Sequence, residues 1–366
     1  MTEALYVAKQ EQLDDTLHRL AGADFIALDT EFMREDTFFP KLCLIQAATP
    51  DFTALIDPLT LDDLNPLWGF LHDRSRTKVL HAARQDLEVL LVAMGEAPLC
   101  GPVFDTQIAA ALLGLPAQVG YGSLVAQRLG HTLAKGHART DWTRRPLSGE
   151  QRAYAADDAR FLAPLYLDLR SALEQEGRLS WLYEETRELE EARLYRSEPD
   201  EAWRRLKGLE RMQPAQRATA KLLASWRETL AMKSDKPRGW ILADEALREL
   251  AERRPASVAD LEQLRGLPPA VIRKRGPEIL ALVEQATALA ANEAAASAPA
   301  RPDPQQVAKV TRLMAYVRAE GERLKVSPEL LATRRDIEAL VFSGRSARLS
   351  TGWRKEVIGA RLATAG

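Results

Sequence analysis

The sequence predicts an α/β domain followed by an all-helical tail, and three features carry that prediction. Up to about residue 200, short apolar runs that end at turns alternate with helical patterns. From about residue 201 the strand signal fades and helical periodicity takes over. The charge balance turns over at the same place: residues 1–200 hold 20 Lys and Arg against 32 Asp and Glu, and residues 201–366 hold 30 against 20. A chain of 366 residues suits two or three domains at ~150 residues each.

Taken in order, the strands are FIALDTEF (25–32), LCLIQAAT (42–49), FTALIDP (52–58) and KVLHA (78–82), whose length and apolar content suit buried or half-buried strands. Helical patterns occupy 11–22, 62–73, 84–95, 105–114 and 123–130, several stopping at Gly, the usual residue just past a helix end. At Ser148 the run Ser-Gly-Glu-Gln resembles a capping box. It opens a long helix with apolar positions Ala155, Phe161, Leu162, Leu165 and Leu169, which Pro164 is expected to kink. Helices then follow at 216–234, 243–255, 257–266 and 268–290. The Ala- and Pro-rich stretch 291–304 reads as a linker, and further helices occupy 305–325, 327–344 and 352–362. The two helical blocks share a layout of long basic helix, lysine and loop, then acidic-capped helix, so they read as diverged copies of one small domain.

Composition removes several classes. The hydrophobic share is 46%, but charge interrupts every apolar run well short of the ~20 residues a membrane helix needs. The N-terminus is acidic and lacks the apolar core of a signal peptide. Cys43 and Cys100 show no CxxC spacing, which argues against a disulfide scaffold or a zinc site. A cytoplasmic globular protein is expected. The basic tail beside an acidic half suggests a polyanion partner, although two helical surfaces that merely differ in charge give the same count.

Three places carry candidate chemistry. On the strand FIALDTEF, alternation puts Asp29 and Glu31 on one face, ~6.6 Å apart along the chain, with Thr30 and Phe32 opposite. Two carboxylates after a buried run repel each other, and a divalent cation relieves that repulsion; a lone D-x-E is more often a strand emerging into water. Asp86 follows the KVLHA strand in the first turn of a helix, where the helix dipole favours an acid in any case. Tyr154 and Asp158, at i and i+4, share one helical face, while Asp157 points about a quarter turn away. Singly, Tyr154 reads as core packing and Asp158 as a surface acid.

Their order is more specific than any one of them. D-x-E on a strand, Asp at a strand–helix junction and Y-x-x-x-D on a later helix resemble the DEDD exonuclease superfamily in its tyrosine-bearing branch. The stretches DTEFMREDTFFPKLCLIQ (29–46), HAARQDLEVL (81–90), FDTQIAA (104–110), RTDWTRRPLS (139–148) and YAADDARFL (154–162) narrow the resemblance to the ribonuclease D family. The tail resembles that family's HRDC domains.

The resemblance implies an α/β RNase H-like 3′–5′ exonuclease domain over 1–200, followed by two all-α HRDC-type domains at 211–291 and 304–366 with a linker at 292–303. It implies a metal-dependent 3′→5′ exoribonuclease acting on tRNA precursors and other small structured RNAs, releasing nucleoside 5′-monophosphates. Asp29, Glu31, Asp86 and Asp158 match the family's metal carboxylates, holding two divalent ions, Mg²⁺ or Mn²⁺, and Tyr154 matches its active-site tyrosine. Thr30, Phe32, Lys135 and Arg139 are candidate substrate contacts, with Gln46, His81, Trp142, Arg144 and Arg145 as further cleft candidates. A DNA 3′→5′ exonuclease with the same metal centre and a non-catalytic RNA-binding protein are the alternatives.

Overall fold

The computed structural model describes residues 3–95, 101–134, 136, 140–293 and 303–364. Two compact units form, and their membership does not follow chain order. One holds Met1–Met33, Lys41–Tyr195 and Pro302–Gly366; the other holds Arg34–Pro40 and Arg196–Arg301.

The first unit is built on a six-stranded mixed sheet with β1 (Leu5–Val7), β2 (Phe25–Met33), β3 (Lys41–Thr49), β4 (Phe52–Ile56), β5 (Thr77–Leu80) and β6 (Val103–Asp105), in the order β1-β4-β3-β2-β5-β6. β2 runs antiparallel to β3 and parallel to β5, so it sits centrally. Its burial follows the predicted alternation. Ile26 and Leu28 enter the core beneath α1 (Gln10–Ala21), α2 (Asn65–Leu71) and α3 (Arg84–Ala93). Phe25 and Ala27 enter the opposite core, beneath α4 (Thr106–Leu112), α5 (Tyr121–Leu129), α7 (Leu162–Gln175) and α8 (Leu179–Thr186). β1 and β6 escape the sequence reading because three residues are too short for periodicity to register.

α6 (Gly149–Arg160) begins at the expected capping box, with the Ser148 hydroxyl accepting from the Gln151 amide at 3.1 Å. The expected kink is a break: α6 ends at Arg160, Phe161 is a turn, and Pro164 sits in the first turn of α7, where its missing N–H costs nothing.

Among the described residues, 303–364 form no core of their own. Val310, Leu313 and Val317 from α14 (Pro304–Leu324), Leu331 from α15 (Pro328–Leu331), Ile337 from α16 (Arg334–Ser343) and Trp353 join the α/β core beside α4, α7 and α8. Polar contacts seal the junction: Arg178 donates to the Leu112 and Leu324 carbonyls, both at 2.7 Å, and the Ser327 amide donates to the Ala111 carbonyl at 2.8 Å. Trp181 and Trp353 stack with ring centroids 4.6 Å apart.

The second unit contains α9 (Pro214–Ser234), α10 (Arg238–Ile241), α11 (Asp244–Arg253), α12 (Val258–Glu262) and α13 (Pro269–Glu293), around a core of Leu223, Leu247, Leu250, Leu261 and Ile279. Among its buried charges is Glu228, which accepts from Arg238 at 2.5 and 2.7 Å and from Arg205 at 2.8 Å. The segment Arg34–Pro40 belongs here because the Asp235 carboxylate accepts the Phe38 and Phe39 amides, both at 3.0 Å, and the Arg238 guanidinium covers the Phe38 ring. No helix among the described residues is long and apolar enough to cross a membrane.

Candidate active site

Three carboxylates converge from two elements, and a fourth, Asp86, bears on them electrostatically from a third. Asp29 and Glu31 lie on the face of β2 that carries Phe25 and Ala27, and Asp158 comes down from α6, which packs over β2, β3 and β4. One carboxylate oxygen from each of Asp29, Glu31 and Asp158 lies within 4.8 Å of the other two. Asp86, in the first turn of α3, is buried, and it accepts the Thr30 hydroxyl at 2.6 Å.

The turn that aims Asp86 is strained and held from outside. Ala82, between β5 and α3, has φ +53, a left-handed conformation that costs an alanine about 1 kcal/mol. The buried carboxylate of Asp105 offsets this by accepting the Ala82 and Ala83 amides at 3.2 and 2.9 Å. The same carboxylate caps α4 through the Gln107 amide at 2.8 Å. That is the physical role of the FDTQIAA stretch.

Packed acids without a counter-charge hold their protons. Asp29 is raised well above the carboxylate range by burial, then by the charges of Asp86, Asp158 and Glu31. Burial lifts Glu31 to about 8, with Asp158 and Asp86 adding to it. Asp158 rises to about 7 through burial, against the hydrogen bond from Tyr154, and Asp86 to about 6 through burial, against the bond from Thr30. Hard oxygen donors that repel one another in this way fit a divalent cation bound by carboxylates. Tyr154 is pushed above its ordinary value by burial and by Asp158, Glu31 and Asp29, so the phenol remains a proton donor.

The other candidates sort by what they touch. Thr30 is spent on Asp86, and Phe32 packs on the core beneath α3, both on the face opposite Asp29 and Glu31. Gln46 is the register partner of Asp29 on β3; its side-chain amide is buried and makes no hydrogen bond. His81 uses both ring nitrogens structurally, on the Thr106 hydroxyl at 2.9 Å and the Val119 carbonyl at 3.0 Å. Trp142 is buried, with its ring stacked toward Tyr154 at 6.3 Å, so it buttresses the tyrosine and offers no face to a base. Arg145 is tied to Asp57 and to the Cys43 and Trp142 carbonyls, and Arg144 pairs with Asp141 at 3.0 Å; neither is an uncommitted phosphate contact. Lys135 and Arg139 lie outside the described residues.

Sequence reasoning missed Tyr121. Its hydroxyl donates to the Asp157 carbonyl at 3.1 Å, and the charges of Asp158 and Asp29 bear on it. Beside it an open cavity of about 900 Å³ runs from Tyr154 and Asp158 past Gly120, Ser123 and Thr132. An aromatic between two glycines at the start of α5 was the available signal.

A family model for a 3′-5′ exonuclease matches residues 5–174, and one for the HRDC domain matches residues 216–283. The chain is 39% identical over 364 residues to a ribonuclease D of Acidiphilium cryptum, covering 98% of this chain and 91% of that one. It is 38% identical over 347 residues to a ribonuclease D of Pseudomonas paraeruginosa, covering 93% and 92%. Its fold resembles the crystal structure of Escherichia coli RNase D, described as an exoribonuclease involved in structured RNA processing, with a TM-score of 0.88 and 34% identity over 100% of this chain and 98% of that chain. The catalytic core of RRP6 from Trypanosoma brucei shares the fold at a TM-score of 0.61 and 22% identity, over 79% of this chain and 80% of that one.

Proposed function

The chain belongs to the ribonuclease D family, and from that premise we propose that it is a metal-dependent 3′→5′ exoribonuclease that trims tRNA precursors and other small structured RNAs to nucleoside 5′-monophosphates. The observation that carries this reading is the convergence of Asp29, Glu31 and Asp158, with Asp86 behind Thr30.

Asp29, Glu31, Asp86 and Asp158 would hold two divalent ions, Mg²⁺ or Mn²⁺. Bound there, the ions supply charge neutralisation for the scissile phosphate and for the attacking and leaving oxygens. Tyr154, protonated and hydrogen-bonded to Asp158, orients the attacking water. A phenol pushed upward is a poor general base near neutral pH, so orientation is its assigned role. The cavity past Tyr121 and Ser123 takes the 3′-terminal nucleotides.

The helical blocks are read as two HRDC-type modules. A register supports this: Pro214 and Pro304, which open α9 and α14, stand 90 residues apart, as do Asp244 and Arg334, which open α11 and α16. Both long helices end on a left-handed residue, Asp235 and Lys325, at the same offset.

Replacement of Tyr154 by Phe is expected to lower turnover about 10²-fold or more while leaving metal affinity nearly unchanged. Titration of metal-dependent activity checks it, and unaltered turnover removes Tyr154 from the mechanism. The function itself is tested with a 5′-labelled RNA hairpin bearing a single-stranded 3′ tail, digested with Mg²⁺, Mn²⁺ or chelator beside a matching DNA. A metal-dependent ladder shortening from the 3′ end of the RNA is expected. Equal or faster digestion of DNA, or no digestion of either, overturns the reading.

A further inference from the structure

All seven tryptophans are among the described residues, and six are buried or half-buried. Trp240, on α10 of the second unit, is 61% exposed, the highest value among the exposed large hydrophobic side chains. The chain leading to it is largely polar. Around it in the chain stand Lys233, Ser234, Asp235, Lys236 and Gly239, all exposed, and the Lys236 ammonium lies 5.4 Å from the centre of the Trp240 ring. The one acid in that run is already committed, since the Asp235 carboxylate accepts the Phe38 and Phe39 amides.

The internal repeat sharpens the anomaly. At the 90-residue offset Trp240 corresponds to Leu330 on α15, and Leu330 packs against the α/β core of the first unit. The second module thus spends this position on an intramolecular contact. The first module presents a tryptophan there to solvent.

A flat aromatic among lysines matches the two halves of a single-stranded nucleotide, a base with a π-face and a phosphate with a charge. A protein partner would instead favour a contiguous apolar surface with the charges at its rim. We propose that Trp240 is a stacking platform for an unpaired base of the RNA substrate, with Lys233 and Lys236 holding the adjoining phosphates. The site rests on the exoribonuclease reading for its ligand class. It recognises RNA through the second unit and raises the affinity for long substrates without supplying a group to the chemistry.

The test uses the full chain in chelator and a fluorescein-labelled oligoadenylate of about 12 nucleotides, within the usual site size of such surfaces. Trp240→Ala is expected to weaken binding about tenfold, and Trp240→Phe to retain most of the affinity, because a phenyl ring still stacks. The double variant Lys233→Ala, Lys236→Ala is expected to weaken binding and to make its dependence on salt shallower by about one to two units of slope. With Mg²⁺, hydrolysis of an RNA trinucleotide by all of these variants is expected to match the parent chain. An affinity for Trp240→Ala equal to that of the parent, with unchanged circular dichroism and melting temperature, overturns the proposal. So does unchanged RNA binding accompanied by altered sedimentation, which assigns the face to a protein contact. Failure of the parent chain to hydrolyse the trinucleotide refutes the exoribonuclease reading instead, and the binding arm still decides whether Trp240 stacks.

Discussion

Replacement of Asp29 by Asn is expected to remove turnover while making the metal-free protein more stable at alkaline pH. The loss follows from the position of Asp29 among Glu31, Asp86 and Asp158, all of which bear on it electrostatically. On the proposed metal centre, removing this carboxylate forfeits several kcal/mol of charge stabilisation, a rate loss on the order of 10³-fold or more. The gain follows from the same geometry without cations. Glu31 titrates near 4.5 in the unfolded chain and near 8 in the fold. Its protonated form is therefore favoured by folding: stability is fully present below pH 4.5 and is lost as pH rises toward 8. Asp158 acts in the same sense up to about pH 7 and Asp86 up to about pH 6. Each such group contributes a slope of up to ~1.4 kcal/mol per pH unit inside its window. Thermal unfolding in chelator from pH 5 to 9 checks this. The parent chain is expected to lose stability across the range, and Asp29→Asn to lose less and to melt a few degrees higher at the alkaline end. Mg²⁺ is expected to raise the parent's melting temperature far more than the variant's. A parent chain whose metal-free stability is flat or rises between pH 5 and 8 would mean that the acids are not crowded enough to need cations.

The largest structural effect is expected at Asp57, which touches no substrate. Its side chain is inaccessible to solvent and accepts from the Tyr6 hydroxyl, from Arg145 and from the Leu59 amide. Burial works against the Asp57 charge, but the hydrogen bonds from Arg145 and Tyr6 outweigh it and hold the carboxyl below its ordinary range. Arg145 in turn donates to the Cys43 carbonyl on β3 and to the Trp142 carbonyl, each at 2.7 Å. This network fastens the segment before α6 to the sheet, and α6 carries both Tyr154 and Asp158. Asp57→Ala strands a guanidinium in a poorly solvated place and is expected to cost about 3–5 kcal/mol. Asp57→Leu with Arg145→Met, which removes both charges, is expected to recover most of that stability. Turnover is expected to remain low in the double variant, since the carbonyls of Cys43 and Trp142 are no longer tied together. Denaturant unfolding and single-turnover kinetics on the three proteins decide the matter. Full activity in the double variant would show that the network stabilises the fold without positioning α6. The pH sense is opposite to that at Glu31: the Asp57 contribution is present above about pH 4, the ordinary carboxylate range, and is lost as pH falls below it.

How much of this was legible depends on how far apart in the chain the cause lies. Alternation along β2 separated Asp29 and Glu31 from Thr30 and Phe32, and the two cores on either side of the sheet follow that separation. The Ser148 capping box marked the start of α6 to the residue, because a cap is a contact between positions three apart. Thr30 shows where such reasoning stops. Its face was readable, whereas its hydrogen bond to Asp86, 56 residues away, was not. Arg145 stopped in the same way: in sequence it is one of several cations in a basic stretch, and only the fold puts Asp57 and two carbonyls around it.

The helical tail marks the same division on a larger scale. Two similar blocks are visible in the sequence, as is their charge, because periodicity and capping are local. That Pro302–Gly366 shares a core with the α/β layer, while Arg34–Pro40 leaves it for the other unit, could not be read locally. The reason is that an amphipathic helix specifies that it has an apolar face and leaves open which surface covers it. Leu330 and Trp240 stand at equivalent places in the two blocks, one packed and one exposed. Local pattern in the sequence was enough for four of the six strands, for most of the helices and for the order of carboxylates that resembles one family's motif. Tertiary structure decided which side chains are already spent on one another, and so which remain for substrate, because that depends on partners that only folding brings within hydrogen-bonding distance.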